Sequence, residues 1–188
     1  MTGTIALLVM TCVSFVLVGC ATTGPIPLAN SFLVTLLSDK QIRSDYGPSF
    51  NNNPFLPPQG GLFSSKGEDY VVLKLSLATT SAVAVSLSGA TASDEKGKVR
   101  AVYYDADKFR NLTLMLSPPP MDNTTKLDKI AWFYLPSTTV QLRPGSYSYV
   151  IVLVGPHPIP DNVTAHVNLV VGGNAMNFDL PVPSSEDS

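Results

Sequence analysis

Nucleophilic, redox and metal chemistry in a protein starts from cysteine, histidine and clustered carboxylates, and this 188-residue chain has only two cysteines and two histidines. A catalytic hydroxyl needs a base within hydrogen-bond reach and a third group that orients the base. His166 stands between Ala165 and Val167 in an alternating run, which places it with Thr164 and Asn168 opposite the apolar set. It reads as a solvated surface histidine. His157 lies in Gly155-Pro156-His157-Pro158-Ile159-Pro160, a stiff loop with no acidic neighbour before Asp161. There is no G-x-S-x-G elbow, no phosphate-cradling glycine loop and no metal-spaced His/Cys set. Asp105 with Asp107, and Asp94 with Glu95, carry oxygens of the kind calcium takes, but each pair reads as an ordinary solvated turn. The sequons at Asn111, Asn123 and Asn162 read as chance. The expectation is a protein that is not an enzyme and that uses no cofactor and no metal.

The cysteines point to a different chemistry. An apolar, uncharged run from Ile5 to Val18 has the length of a secretory h-region and falls short of the roughly 20 residues that span a bilayer. It closes on Leu17-Val18-Gly19-Cys20, which resembles the bacterial lipobox. The leader Met1-Thr2-Gly3-Thr4 departs from that pattern in having no Lys or Arg. The resemblance implies a signal peptide at 1–19, cleaved before Cys20, with a diacylglycerol on the Cys20 sulfur and a further acyl chain on its amine. Each buried methylene contributes about 0.8 kcal/mol, so several chains anchor where one is reversible. Residues 20–30, with Gly24, Pro25 and Pro27, read as a lipidated tether. In that family Ala21 after the cysteine implies delivery to the outer membrane.

Twelve basic and fourteen acidic residues are scattered along the chain, which removes support for nucleic-acid binding. About 170 residues remain after the leader, enough for one domain with its own core. With Cys12 lost to the signal and Cys20 to lipid, that domain has no disulfide and must be held by packing. Abundant Val, Leu, Ser, Thr, Tyr and Pro favour strands and turns.

These constraints predict an all-β domain over 31–180, a single antiparallel β-sandwich of jelly-roll or immunoglobulin-like kind, and a frayed tail at 181–188. Expected strands run over 32–37, 70–77, 82–88, 99–104, 112–116, 130–135, 138–142, 146–154, 163–171 and 174–180, with 70–77 and 82–88 paired as a hairpin. A helix over the first of these is the alternative there. No other amphipathic helix is expected. A long Pro-, Gly- and Asn-rich loop at 44–69 contains Tyr46, Phe50, Phe55 and Phe63, which would either pack over one end of the core or meet a partner.

Leu142-Arg143-Pro144-Gly145-Ser146-Tyr147 resembles the tyrosine corner of extracellular sandwiches, in which Pro144 and Gly145 turn the chain and the Tyr147 hydroxyl bonds back to the turn. With the strands at Tyr70, Val83 to Gly89 and Val102 to Asp105, the pattern looks like the bacterial pre-peptidase C-terminal domain, an accessory module of secreted enzymes. The stretches Val85 to Ser88 and Lys98 to Phe109 are similar to the opening hairpin of the outer-membrane lipoprotein of type VI secretion systems, whose loop grips a periplasmic partner. The function these features imply is a lipid-anchored structural or interaction component of an envelope or secretion assembly, held at the membrane through Cys20 and bound to a protein partner. The alternative is a ligand- or glycan-binding module.

Overall fold

The computed structural model describes residues 30–57, 67–117, 123–160 and 162–182. The expected signal peptide, Cys20, Phe63 and the last six residues lie outside them. Eleven elements follow in order: β1 (Ser31–Leu36), α1 (Asp39–Tyr46), β2 (Glu68–Thr79), β3 (Val83–Ser93), β4 (Val99–Tyr103), α2 (Ala106–Leu116), α3 (Thr124–Phe133), β5 (Val140–Leu142), β6 (Gly145–Pro156), β7 (Val163–Val171) and β8 (Asn174–Val182). Among the described residues no helix is long and apolar enough to cross a membrane.

The fold is mostly β and sandwich-like, built from one antiparallel sheet that curls nearly into a barrel. Its strand order is β1-β2-β6-β4-β3-β7-β8, with β5 on the same edge of β3 as β4. Two well-paired triplets, β1-β2-β6 and β3-β7-β8, face each other across a core, and β4 joins them at one end. The expected hairpin between the second and third strands does not form. Both edges of β2 are taken, by β1 and by β6 along all twelve of its residues, so the chain crosses to the other triplet.

Val71, Leu73, Leu75 and Leu77 of β2, Ile151 and Leu153 of β6, and Val163, Ala165, Val167 and Leu169 of β7 fill the space between the triplets. The intervening residues of β6, and Val72 of β2, are apolar too: Val72, Val150, Val152 and Val154 bury on the opposite face, in a second cluster. Strands buried on both faces read as continuous apolar runs, and Val150-Ile151-Val152-Leu153-Val154 is one. In β7 a single face is buried, and the sequence alternates.

Three helices cover that second face, where the sequence predicted two strands and, for the last three residues of α1, the start of the loop. Ser38 caps α1 in a capping box with Gln41, and Ile42 and Tyr46 bury four residues apart. The Asp105 carboxylate caps α2 by accepting from the Lys108 N–H at 2.8 Å, and Phe109, Leu112 and Thr113 point inward. In α3, Lys126 and Ile130 are the buried pair. The segment expected as a strand at 112–116 is therefore helical, and that at 130–135 is helical through Phe133. The expected tail also starts late, because Pro181 and Val182 still pair in β8.

The β7–β8 hairpin turns on Gly172 and Gly173, at φ 56° and 85°, the left-handed pair that a two-residue turn matching strand twist requires. At the start of β6, the Tyr147 hydroxyl accepts from the Arg143 N–H at 3.2 Å and donates to the Arg143 carbonyl at 3.1 Å. Pro144 and Gly145 lie between the two bonded residues. Tyr147→Phe should lower stability by about 0.5–1.5 kcal/mol, read from the urea midpoint, because the ring stays and only the hydroxyl bonds go.

Candidate functional site

The loop expected at 44–69 is shorter and more ordered than its composition suggests. Its first three residues end α1, and Glu68 and Asp69 begin β2. In between, Asn53 is fully buried and donates to the carbonyls of Ile42 at 3.1 Å and Gly47 at 2.7 Å, the second of which the end of α1 leaves free. Its Oδ1 accepts from the Phe55 N–H at 3.0 Å. The Lys129 ammonium donates to the carbonyls of Tyr46 and Asn52, tying the loop to α3.

This anchoring settles where the loop aromatics go. Phe55 is completely buried and Tyr46 nearly so, in a cluster with Phe109 and Tyr134. The Tyr46 and Phe55 rings meet edge to face at 4.9 Å between centroids, and Phe109 and Tyr134 stack at 5.2 Å. Tyr46 and Phe55 are core residues, as the packing alternative expected, and the partner-contact alternative is corrected for these two because their rings are enclosed. Phe50 lies under the Lys126 ammonium, 3.4 Å from its centroid. Phe63 lies outside the described residues.

Lys126 is itself enclosed, and donates to the Ser117 hydroxyl at 2.7 Å. Burial disfavours its charged form and lowers its pKa to about 8; burial lowers that of Lys129 as well. Burial works the other way on Tyr46 and Tyr103, holding each neutral up to about 12. Between pH 8 and the unfolded lysine value near 10.4, the unfolded chain binds more protons than the folded one, so stability rises with pH. Above about 10 the unfolded tyrosines ionise first and stability falls. Urea midpoints across pH 7–11 should peak near pH 10, and Lys126→Met should flatten the rising limb.

The apolar surface exposed by the helical layer is elsewhere. Trp132, the only tryptophan, is 80% exposed on α3, between the buried Ile130 and Tyr134. Beside it Phe133 is partly exposed and packs edge-on against Tyr46 at 5.3 Å. Sequence reasoning missed Trp132 because it placed 130–135 in a strand.

The outward face of β3-β7-β8 is polar and holds a second arrangement. His166 does lie on the face expected for it, but it is not simply solvated. Its Nδ1 is 2.7 Å from Asp179 Oδ1, and its Nε2 is 2.8 Å from Ser93 Oγ. A carboxylate only accepts, so Nδ1 carries the proton and Nε2 is left to accept from the serine hydroxyl. This is the serine, imidazole and carboxylate order of an acyl-transfer triad. His166 is directly opposite Asp179 in the β7–β8 register, and Ser93 ends β3 at an irregularity in its pairing with β4.

Other sequence candidates resolve as follows. His157 has an acid after all: Asp69, 88 positions earlier, is 3.2 Å from its Nδ1. Asp94 spends Oδ1 on the N–H groups of Lys96 and Lys98 and Oδ2 on Arg100 at 2.7 Å. The Lys98 N–H bond foremost, and then Arg100, hold its carboxyl below the ordinary range. The outward residues around His166 are Thr91, Thr164, Asn168 and Asn177, with no aromatic ring for a sugar to stack on. No protein-family model, curated protein or solved structure matches the chain.

Proposed function

We propose that the chain is a lipid-anchored component of a bacterial cell envelope, tethered through Cys20, that binds a protein partner with the corner formed by Trp132 and Phe133. The observation that carries the reading is the exposure of Trp132 on a helix held rigidly from beneath. An exposed tryptophan on a fixed support gives large contact area with little ordering cost, the property of an interface anchor. The lipobox-like spacing of Leu17 to Cys20 supports the tether.

A photoreactive side chain at position 132, with position 95 on the β3–β4 turn as control, tests the docking corner in cells. The expected result is one saturable crosslink from 132 and none from 95, abolished by Cys20→Ser as the domain leaves the membrane fraction. No crosslink from 132, or a Cys20→Ser variant that stays in the membrane, would overturn the reading.

A further inference from the structure

We propose that Ser93, His166 and Asp179 form a working nucleophilic triad that hydrolyses short-chain carboxylic esters, with acetyl esters of polar alcohols as the substrate class. The proposal goes beyond the docking role and depends on neither Cys20 nor Trp132.

Three strands fix the geometry. The Ser93 Oγ to His166 Nε2 distance of 2.8 Å is that of a hydroxyl donating to a base, and the 2.7 Å contact of Nδ1 with Asp179 fixes the tautomer in which Nε2 is basic. The step balances without a cofactor. Ser93 Oγ bonds to the ester carbonyl carbon while its proton passes to His166 Nε2, and the carbonyl electron pair moves to oxygen. Collapse of that adduct breaks the bond to the alcohol, which leaves with the proton from Nε2. Water, deprotonated by the same nitrogen, then releases the carboxylic acid and restores Ser93.

The surroundings define the substrate. Ala92 pairs with Ala101, and both are buried; the register then shifts, so that Ser93 pairs with Val99 and Arg100 is the extra residue beside it on β4. The Asp94 N–H after the nucleophile is committed to the Lys98 carbonyl at 3.0 Å and the Arg100 guanidinium to the Asp94 carboxylate at 2.7 Å, so the positive charge Arg100 lends a developing oxyanion is shared with that ion pair. The register sets Thr91, Thr164, Asn168 and Asn177 about the imidazole, a hydroxyl- and amide-bearing surface with Pro181 as its apolar edge, which suits a small acyl group better than a long one. A polar alcohol lying across an open face and carrying a small acyl group fits this surface.

The test uses the folded domain with a fluorophosphonate probe, p-nitrophenyl acetate and p-nitrophenyl octanoate. Peptide mapping should find the phosphonate on Ser93. Ser93→Ala, which removes one oxygen and keeps the fold, should abolish labelling and acetate hydrolysis. His166→Asn should slow both at least 100-fold, and Asp179→Asn about 10-fold, since that carboxylate is well exposed. Acetate should be hydrolysed at least tenfold faster than octanoate. Absence of labelling, labelling elsewhere, hydrolysis that survives Ser93→Ala, or a preference for octanoate would each overturn the proposal.

Discussion

Phe109→Ala should destabilise the protein by about 3–5 kcal/mol, a loss comparable to the whole stability of a marginal domain. Phe109 is completely buried where α2 meets the outer face of the sheet. Its ring centroid lies 5.2 Å from that of Tyr134, 5.6 Å from Tyr70 and 6.0 Å from Phe55. Truncation leaves a void among three rigid rings, each fixed by its own element, so the cavity cannot close by a rotamer change. It also removes the residue that connects α2, α3 and the 47–56 loop. Urea denaturation followed by far-ultraviolet circular dichroism checks the magnitude. A loss under about 1 kcal/mol would mean that the helical layer repacks freely, against the close-packed geometry described above.

Gly155→Ala should cost about 3 kcal/mol or more, although Gly to Ala within a strand ordinarily stabilises. A Cβ at this position would sit 2.2 Å from the Arg100 carbonyl oxygen and 3.1 Å from the Ala101 Cβ. The obstacle is backbone, so β4 has to move. The pairs Val102 with Val154 and Tyr103 with Leu153, which hold β4 against β6, would be lost together. Since β4 links the two triplets, the damage should extend past one strand. Amide exchange at residues 102 and 103 in the variant should rise by orders of magnitude while β7 and β8 stay protected.

Much of the sandwich was legible because its signal is local. β7 falls on its expected residues, since strict alternation over Val163–Val171 has one reading. The helices were missed for three separable reasons. Leu112-Thr113-Leu114-Met115-Leu116 alternates as a strand would, while its real partner on the buried face, Phe109, stands three residues before it. The residue that α3 buries one turn from Ile130 is Lys126, which no apolar pattern counts. The capping signals at Ser38 with Gln41, and at Asp105, were present and outweighed by β-rich composition.

The triad was partly within reach. Once Gly172-Gly173 is taken as a two-residue turn, Val171 faces Asn174 and counting outward sets His166 opposite Asp179. Ser93 is 73 positions from His166, and only the pairing of β3 with β7 brings it there. The pairing of β2 with β6 likewise brings Asp69 to His157. The sequence left the loop aromatics between packing and partner contact: Pro, Gly and Asn do mark irregular backbone, but Asn53 and Lys129 satisfy that backbone internally, so irregular and exposed part company here.

Strands β2 and β6 form a wall shared by both apolar clusters, with neighbouring residues of each strand committed to opposite sides. Neither cluster can therefore lose its packing while the other keeps a native boundary. The helical layer and the strand core should melt in a single transition, without an intermediate that keeps the sheet and sheds the helices. The amides of Val150 to Val154, screened from solvent on both sides, should exchange only through global opening and so report the full unfolding free energy of the molecule.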